Sequence, residues 1–238
     1  MKIEVWSDYV CPFCYIGKRR LEQALQTFPQ KDKVEVTFKS FELQPHLPSD
    51  PNVSVHEMLA KKMGATIEQA KSMNEQVIQS AASVGLAYNF DSMKQVNTLD
   101  AHRLVKFAEQ RGKAAELTER LLSAHFIESQ FLGANETLIS LAEEVGLDRD
   151  EVQQVLASNA HLEEVRQDQV EGQQLGVQGV PFFVFNRKYA ISGAQPLEVF
   201  TQTLTKVWEE ENGATPLQQV QSTTGATCTD DGCEIPEK

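Results

Sequence analysis

Residues 6–17 read WSDYVCPFCYIG, and this stretch decides the fold because it places two cysteines where a strand passes into a helix. The preceding residues 2–6, KIEVW, alternate polar and apolar side chains, which predicts a β-strand. Pro12 is tolerated in a first helical turn, and FCYIGKRRLEQALQTF after it has apolar residues at helical spacing. The sequence therefore predicts a strand–turn–helix unit with Cys11 and Cys14 at the start of the helix.

The position of Cys11 favours redox chemistry. At the N-terminus of a helix, unpaired backbone amides and the positive end of the macrodipole stabilise a thiolate, which is the nucleophilic form of cysteine. Cys14 lies one turn further in and is predicted to be less exposed. We therefore expect Cys11 to attack a disulfide and Cys14 to resolve the mixed disulfide that results.

The two residues between the cysteines set the properties of the pair. Pro12 fixes the turn. Phe13 offers the Cys11 thiolate neither a cation nor a hydrogen-bond donor, which predicts a less strongly oxidising couple than a pair with histidine at that position. Its place between two reactive thiols also makes Phe13 a candidate apolar contact for an unfolded or peptide substrate.

The rest of the chain predicts further strands around a long helical segment. Residues 34–43 alternate and are rich in β-branched and aromatic side chains, which predicts a second strand. From about 53 to 176, amphipathic stretches separated by glycine and capping residues predict seven or so helices and no strand. Two short apolar runs, VPFFVFN and KYAISG, flank Asn186 and Arg187 and predict a β-hairpin, which a helix follows from Pro196.

Strand, helix, strand, hairpin and helix is the element order of a thioredoxin core. We therefore expect an α/β thioredoxin fold with a large all-helical insertion and a polar C-terminal tail. The predicted boundaries place the first half of the core at 1–50, the helical insertion at 51–176, the second half of the core at 177–212 and a flexible tail at 213–238.

Pro181 immediately precedes the first strand of the predicted hairpin. A trans proline would be an ordinary strand-entry residue there, whereas a cis peptide would turn the backbone of Val180 toward the dithiol. The CxxC at a helix start favours the second interpretation, because open backbone groups beside a reactive dithiol suit the docking of a peptide-like substrate. Val180 and Pro181 are therefore candidate substrate-binding residues together with Phe13.

A second cysteine pair, Cys228 and Cys233, lies in the polar tail as CTDDGC. An internal disulfide between them closes only a short loop and would stabilise the fold little, which favours an auxiliary redox role. A tail that carries a second dithiol can reach Cys11 or Cys14 and relay electrons. The alternatives, a passive surface disulfide or an idle pair of reduced thiols, stay open.

Composition excludes several classes of function. The chain has 238 residues and a formal net charge of −12, so its surface repels a phosphate backbone and nucleic acid is not an expected partner. No stretch approaches eighteen consecutive apolar residues, and the start MKIEVWSD lacks the features of a secretory signal. We expect a cytoplasmic protein without a membrane segment, in which paired cysteines are catalytic or metal-binding rather than structural.

The other polar candidates carry weaker signals. None of the histidines has a metal-ligand spacing, and they are interpreted as surface or satisfied core residues; they are His46, His56, His102, His125 and His161. His102 lies on a predicted helix and can also face the cleft. Asp8, three residues before Cys11, is interpreted either as a turn aspartate or as a group that steers protons during exchange.

The segments WSDYVCPFCYIG and VPFFVFN and the order of the elements resemble the DsbA-like thioredoxin-fold oxidoreductases, specifically their FrnE-type cytoplasmic branch, over about residues 1–212. That branch is similar to the 2-hydroxychromene-2-carboxylate isomerases, which use glutathione on the same architecture. The resemblance implies a helical domain inserted between Leu43 and Gly179, a cis peptide at Val180–Pro181, and thiol–disulfide exchange centred on Cys11. FrnE-type proteins are also similar in carrying a CxxxxC tail.

Three other functions remain open. The two cysteine pairs together supply four thiolates, enough for a zinc site. A glutathione-dependent isomerase would use the same helix start to activate glutathione's thiol, but those isomerases commonly have serine in place of the first cysteine, whereas this chain keeps Cys11. A binding or chaperone module with incidental cysteines is the third.

The favoured interpretation is a thiol–disulfide oxidoreductase or isomerase acting on disulfide-containing proteins or low-molecular-weight thiols. We expect no bound metal or organic cofactor, although glutathione can serve as a co-substrate. The expected oligomeric state is a monomer or a homodimer.

Overall fold

The computed structural model describes residues 1–213 and, for the backbone alone, the segments 227–229 and 232–234. The α-helices and β-strands of the described residues are, in chain order, β1 (Lys2–Ser7), α1 (Pro12–Thr27), β2 (Glu35–Ser40), β3 (Asp50–Ser54), α2 (Val55–Met63), α3 (Ile67–Ala82), β4 (Lys94–Gln95), α4 (Leu99–Glu109), α5 (Ala114–Phe126), α6 (Asn135–Glu144), α7 (Arg149–Leu156), α8 (Leu162–Gln174), β5 (Phe182–Phe185), β6 (Tyr189–Ser192), α9 (Leu197–Asn212), β7 (Thr227–Thr229) and β8 (Gly232–Glu234).

Four strands form the central sheet in the order β2-β1-β5-β6. β1 pairs with β2 in parallel, with Val5 opposite Phe38, and with β5 in antiparallel, with Val5 opposite Phe183. The β1–α1–β2 crossover, the hairpin and the final helix reproduce the predicted core. The thioredoxin fold with its helical insertion is therefore confirmed.

Each face of the sheet is covered by helices. On one face, α1 and α9 enclose a core whose fully buried members include Ile3, Phe183 and Phe200. On the other face Trp6 is completely buried, and its indole N–H donates to the backbone carbonyl of Asp168 in α8 at 2.8 Å. The helix that ends the insertion thus returns beneath the sheet and positions the chain for β5.

The insertion contains seven helices, α2 to α8, which agrees with the sequence prediction. It also contains the two-stranded ribbon β3–β4, so the prediction of no strand in this region was wrong. β4 is only two residues long, too short to show an alternating pattern. Pro51 is tolerated in β3 because the strand has a partner on one side only.

The insertion does not form a separate core. Its largest apolar cluster extends to Tyr9, Tyr15 and Ile16 around the CxxC motif. Tyr15 and Phe126 approach each other with ring centroids 6.5 Å apart. The start of α1 is therefore packed between the sheet and the insertion.

Two local predictions differ in detail. The second strand ends at Ser40 rather than residue 43, because the amide of Leu43 donates to the side chain of Asp8 at 2.8 Å instead of to a neighbouring strand. The predicted hairpin is present, and Asn186 and Arg187 both have positive φ, at 48° and 56°. That combination is typical of the tight turn that matches the twist of two antiparallel strands.

Two further predictions concern membrane-spanning helices and the C-terminal tail. None of the helices in the described residues is long and apolar enough to cross a lipid bilayer. Most of the predicted flexible tail at 213–238 lies outside the described residues, except for the backbone hairpin β7–β8.

Candidate active site

The CxxC motif lies where the sequence predicts it. Cys11 is the N-cap residue of α1, with extended backbone angles of φ −92° and ψ 109°, and Pro12 follows in the first turn. The Cys11 amide donates to the Asp8 carbonyl at 3.2 Å, and the Cys14 amide donates to the Cys11 carbonyl at 3.0 Å. Cys11 therefore stands at the end of the helix where unpaired amides and the dipole favour negative charge.

Both cysteines are free and buried, with 5% of Cys11 and 2% of Cys14 exposed. Burial raises the pKa of the Cys14 thiol well above its ordinary value, and the neighbouring Cys11 sulfur raises it further. The Ser7 side chain and the Asp8 amide act in the opposite direction, and the amide lies 3.4 Å from the Cys14 sulfur. Cys14 therefore keeps its proton while Cys11 is a free cysteine rather than part of a disulfide.

The loop before β5 approaches the motif from the opposite side. The Val180–Pro181 peptide bond is cis, as the sequence predicts, and the Cys11 thiol lies 3.5 Å from the Val180 carbonyl oxygen. Gly17 makes the close approach possible, because a Cβ there would lie 3.0 Å from the Phe183 ring and 3.1 Å from the Pro181 ring. The structure brings Val180 and Pro181 to Cys11, and their part in binding a substrate remains a prediction.

Phe13 is exposed over 44% of its surface, although both cysteines of the motif are buried and Pro12 is half-buried. It lines the same cavity as Cys11. An exposed aromatic side chain beside a reactive sulfur is available to contact an apolar substrate group.

Asp8 and His102 meet behind the dithiol. Asp8 is completely buried, its Oδ2 accepts from the Leu43 amide at 2.8 Å, and its Oδ1 lies 3.3 Å from His102 Nε2. Asp8 and His102 were separate candidates from the sequence. No sequence pattern predicted their contact, because 94 residues separate them along the chain. The buried pair fixes the turn that precedes Cys11.

The insertion also contacts the motif directly. The Tyr88 hydroxyl donates to the Pro12 carbonyl at 2.7 Å. Further along α1, Glu119 of α5 accepts from the Tyr15 hydroxyl at 2.6 Å and forms ion pairs with Lys18 and Arg19. Sequence reasoning missed Tyr88 and Glu119, because both act through contacts made only in the folded chain.

His125 departs from its sequence interpretation as a surface or satisfied core residue. It is buried, with 2% of its surface exposed, yet no protein group bonds to its Nδ1. Burial lowers the pKa of His125 to about 4, although the Asp8 carboxylate and the Gln130 backbone act in the opposite direction. The imidazole is therefore neutral near pH 7 and lines the same cavity as Cys11.

The second cysteine pair is described only in its backbone. Cys228 in β7 and Cys233 in β8 are direct register partners of the two-stranded hairpin. Their side chains lie outside the described residues, so the auxiliary redox role remains a prediction. Among the side chains that are described, no three His, Cys, Asp or Glu residues converge as they would around a metal ion.

Comparison with known proteins agrees with the geometry. Residues 2–205 match the family described as a DSBA-like thioredoxin domain. A probable DsbA oxidoreductase from Streptomyces coelicolor is 42% identical, with a TM-score of 0.84 and complete coverage of both chains. An uncharacterized protein of Bacillus subtilis, YwbO, is 32% identical over 205 residues, which cover 85% of this chain and 95% of YwbO.

A more distant solved structure, a 2-hydroxychromene-2-carboxylate isomerase, shares the fold at 16% identity with a TM-score of 0.62, covering 89% of this chain and 98% of the isomerase. The resemblance inferred from the motifs is therefore confirmed. This chain belongs to the DSBA-like thioredoxin domain family, a family of oxidoreductases and isomerases that act on thiols and disulfides.

Proposed function

We propose that this protein is a thiol–disulfide oxidoreductase that uses Cys11 and Cys14 on protein or low-molecular-weight disulfides. The observation that carries the proposal is Cys11 at the N-cap of α1, with Cys14 buried one turn behind it. The Val180 carbonyl beside the Cys11 sulfur adds a backbone group at which a peptide can dock. Substrate binding at Phe13, Val180 and Pro181 is part of the same proposal.

The two cysteines divide the reaction between them. The Cys11 thiolate attacks one sulfur of the substrate disulfide, so that a mixed disulfide forms and the other substrate sulfur leaves as a thiolate. Cys14 then loses its proton and attacks the Cys11 sulfur, which releases the second substrate thiolate. The substrate gains two electrons, and the enzyme is left with a Cys11–Cys14 disulfide. The reverse sequence oxidises a dithiol.

The burial of Cys14 gives the order of events a physical reason. Its raised pKa keeps it protonated while the Cys11 sulfur carries charge. Once Cys11 is in a mixed disulfide, the charge that opposes deprotonation of Cys14 is gone. The Ser7 side chain and the Asp8 amide then remain to stabilise the Cys14 thiolate.

Single cysteine variants test the proposal. Cys11→Ser should abolish both insulin reduction and the refolding of a scrambled disulfide protein. Cys14→Ser should instead accumulate a mixed disulfide, detected as an increase in mass that a reductant removes. Exchange activity that survives in Cys11→Ser would refute the assignment, and it would favour a binding or chaperone module with incidental cysteines.

The residue between Pro12 and Cys14 leads to a proposal about redox potential. Phe13 supplies no charge or hydrogen bond to a Cys11 thiolate, so the reduced form is less stabilised than with histidine at that position. We expect Phe13→His to make the couple more oxidising, as measured by equilibration with glutathione. An unchanged or lower potential in that variant would contradict the reasoning.

The tail pair is proposed to relay electrons to the CxxC motif. Support comes from the backbone, because Cys228 and Cys233 are register partners in a two-stranded hairpin, where a reversible disulfide is sterically reasonable. Replacing both with serine should slow steady-state turnover while leaving a single exchange at Cys11 intact. Equal turnover in the variant and the native chain would refute the relay.

The remaining parts of the proposal concern the cellular location, the oligomeric state and the cofactors. We propose that the protein acts in the cytoplasm as a monomer or homodimer, that glutathione can serve as a co-substrate, and that no metal or organic cofactor is bound. Cell fractionation, sedimentation and turnover with glutathione as sole reductant test these points. Stoichiometric zinc in protein purified without chelator would favour the four-cysteine alternative instead.

A further inference from the structure

A cavity of about 260 Å³ opens beside Cys11, between the start of α1 and the insertion. Its walls are mainly apolar; side chains that contribute are Val55, Leu59, Phe90, Met93, Val96 and Phe126. Sites for drug-sized ligands usually enclose about 300–1,000 Å³, so this cavity suits a single ring or a branched side chain rather than a large compound.

One residue that lines the cavity, His125, carries a buried polar atom that the protein leaves unbonded. His125 Nδ1 has no protein hydrogen-bond partner, although the residue is 2% exposed. Buried polar atoms are normally paired, because an unpaired one costs about 1–3 kcal/mol. A neutral imidazole has one nitrogen that donates and one that accepts, so Nδ1 can accept when the ring proton is on Nε2. Nδ1 of the neutral ring is therefore an available acceptor.

We propose that this cavity binds an aromatic group that carries one hydrogen-bond donor, a phenolic hydroxyl or an indole N–H, attached a few bonds from the sulfur that Cys11 attacks. An aromatic ring with one polar tip combines a large apolar surface with a single hydrogen bond, which is the combination that the cavity offers. The inference rests on the proposed exchange function and specifies its substrate class.

Two sources could supply this chemistry. One is a small aromatic disulfide, and the other is a tyrosine or tryptophan next to a cysteine in a polypeptide. A competing ligand chemistry is a carboxylate, because Lys62 and Lys94 also line the cavity. Lys62 is exposed and Lys94 is half-buried, so water can solvate both and neither needs a ligand charge, whereas His125 Nδ1 is out of reach of bulk solvent.

The test compares exchange rates of the native chain with matched disulfides. The probes are the symmetrical disulfides of 2-(4-hydroxyphenyl)ethanethiol, 2-phenylethanethiol, 2-hydroxyethanethiol and 3-mercaptopropionate. Disulfides of the amidated dipeptides Cys-Tyr and Cys-Phe form the polypeptide arm. We expect the hydroxyphenyl probe to react about three- to tenfold faster than the phenyl probe, the effect of one hydrogen bond. The same ratio for the dipeptides would identify polypeptides as a source.

Two pairs of variants locate the effect. Leu59→Trp fills the cavity from α2 and should lower the ratio of aromatic to aliphatic rates by about tenfold. Met63→Trp adds the same residue to the same helix, where Met63 is 56% exposed and does not line the cavity, so the ratio should stay native. His125→Leu should bring the hydroxyphenyl-to-phenyl ratio to one, while His125→Asn, which keeps an acceptor, should preserve part of it.

The outcomes separate this inference from the proposed function. If no disulfide reacts through Cys11, both fail. If the 2-hydroxyethanethiol disulfide reacts but the hydroxyphenyl and phenyl probes react equally, only the inference fails. A 3-mercaptopropionate disulfide that reacts fastest would assign the cavity to a carboxylate and would also overturn it. If His125→Leu does not fold, the native ratio and the tryptophan pair still decide.

Discussion

His125 should make the stability of the fold depend on pH in a defined window. Burial lowers its pKa from the ordinary 6.5 to about 4 in the folded chain. As the pH falls below 6.5, the unfolded chain therefore binds a proton that the folded chain does not. The stability contributed by the neutral ring is complete above pH 6.5 and is lost progressively as the pH falls to about 4.

The size of the effect follows from the same shift. One pKa unit corresponds to about 1.4 kcal/mol, so the fall from 6.5 to about 4 is equivalent to about 3 kcal/mol. No discount for solvent applies, because the side chain is buried. Against a typical stability of about 5–15 kcal/mol for a folded protein, a loss of this size is readily measured.

Urea unfolding at a series of pH values tests this, with tryptophan fluorescence as the signal. Between pH 7 and pH 4 the native chain should lose about 3 kcal/mol more unfolding free energy than His125→Asn, which has no ring to titrate. His46→Asn is the matched control, because His46 is exposed and its replacement should leave the native pH profile unchanged. Parallel profiles for the native chain and His125→Asn would refute the reasoning.

Three further substitutions test contacts around the motif. Gly17→Val places a branched side chain about 3 Å from the buried Phe183 ring and should destabilise the fold by about 1–3 kcal/mol in urea titrations; unchanged stability would contradict that close packing. Glu119→Gln should cost about 1 kcal/mol at pH 7, a value discounted because a third of the side chain is exposed. Because ion pairs lower the Glu119 pKa to about 2 despite its burial, that difference should vanish as the pH falls from 4.5 toward 2, and a difference that stays constant over this range would contradict the assignment. Asp8→Ala leaves the Leu43 amide and the buried His102 ring without their acceptor and should destabilise the fold by about 3 kcal/mol, and a neutral result in calorimetry would show that the pair is dispensable.

Local patterns were enough to predict the core of the fold. Alternation at residues 2–6, a proline at a helix start and a hairpin turn at Asn186 and Arg187 each report on neighbours along the chain, and the structure has all three elements. The cis bond before Pro181 was also predicted, because the CxxC and the later proline are informative in combination.

What the sequence could not reveal depends on contacts between distant segments. The meeting of Asp8 with His102, the Tyr88 hydrogen bond to the Pro12 carbonyl, and the unbonded Nδ1 of His125 all arise from packing of the insertion against the motif. No periodic or spaced pattern in the sequence predicts these contacts. The short ribbon β3–β4 was not predicted for a related reason, because the two residues of β4 are too few to show an alternating pattern.

The long insertion also has a consequence for biosynthesis. Cys11 precedes Val180, whose carbonyl lies against its sulfur, by 169 residues. At a synthesis rate of about 5–20 residues per second, a nascent chain would display the reactive thiol for about 10–30 s before the loop that covers it is made. During that interval the ribosome-bound cysteine is open to oxidants and to other thiols, so faithful production of this protein depends on how reducing its place of translation is.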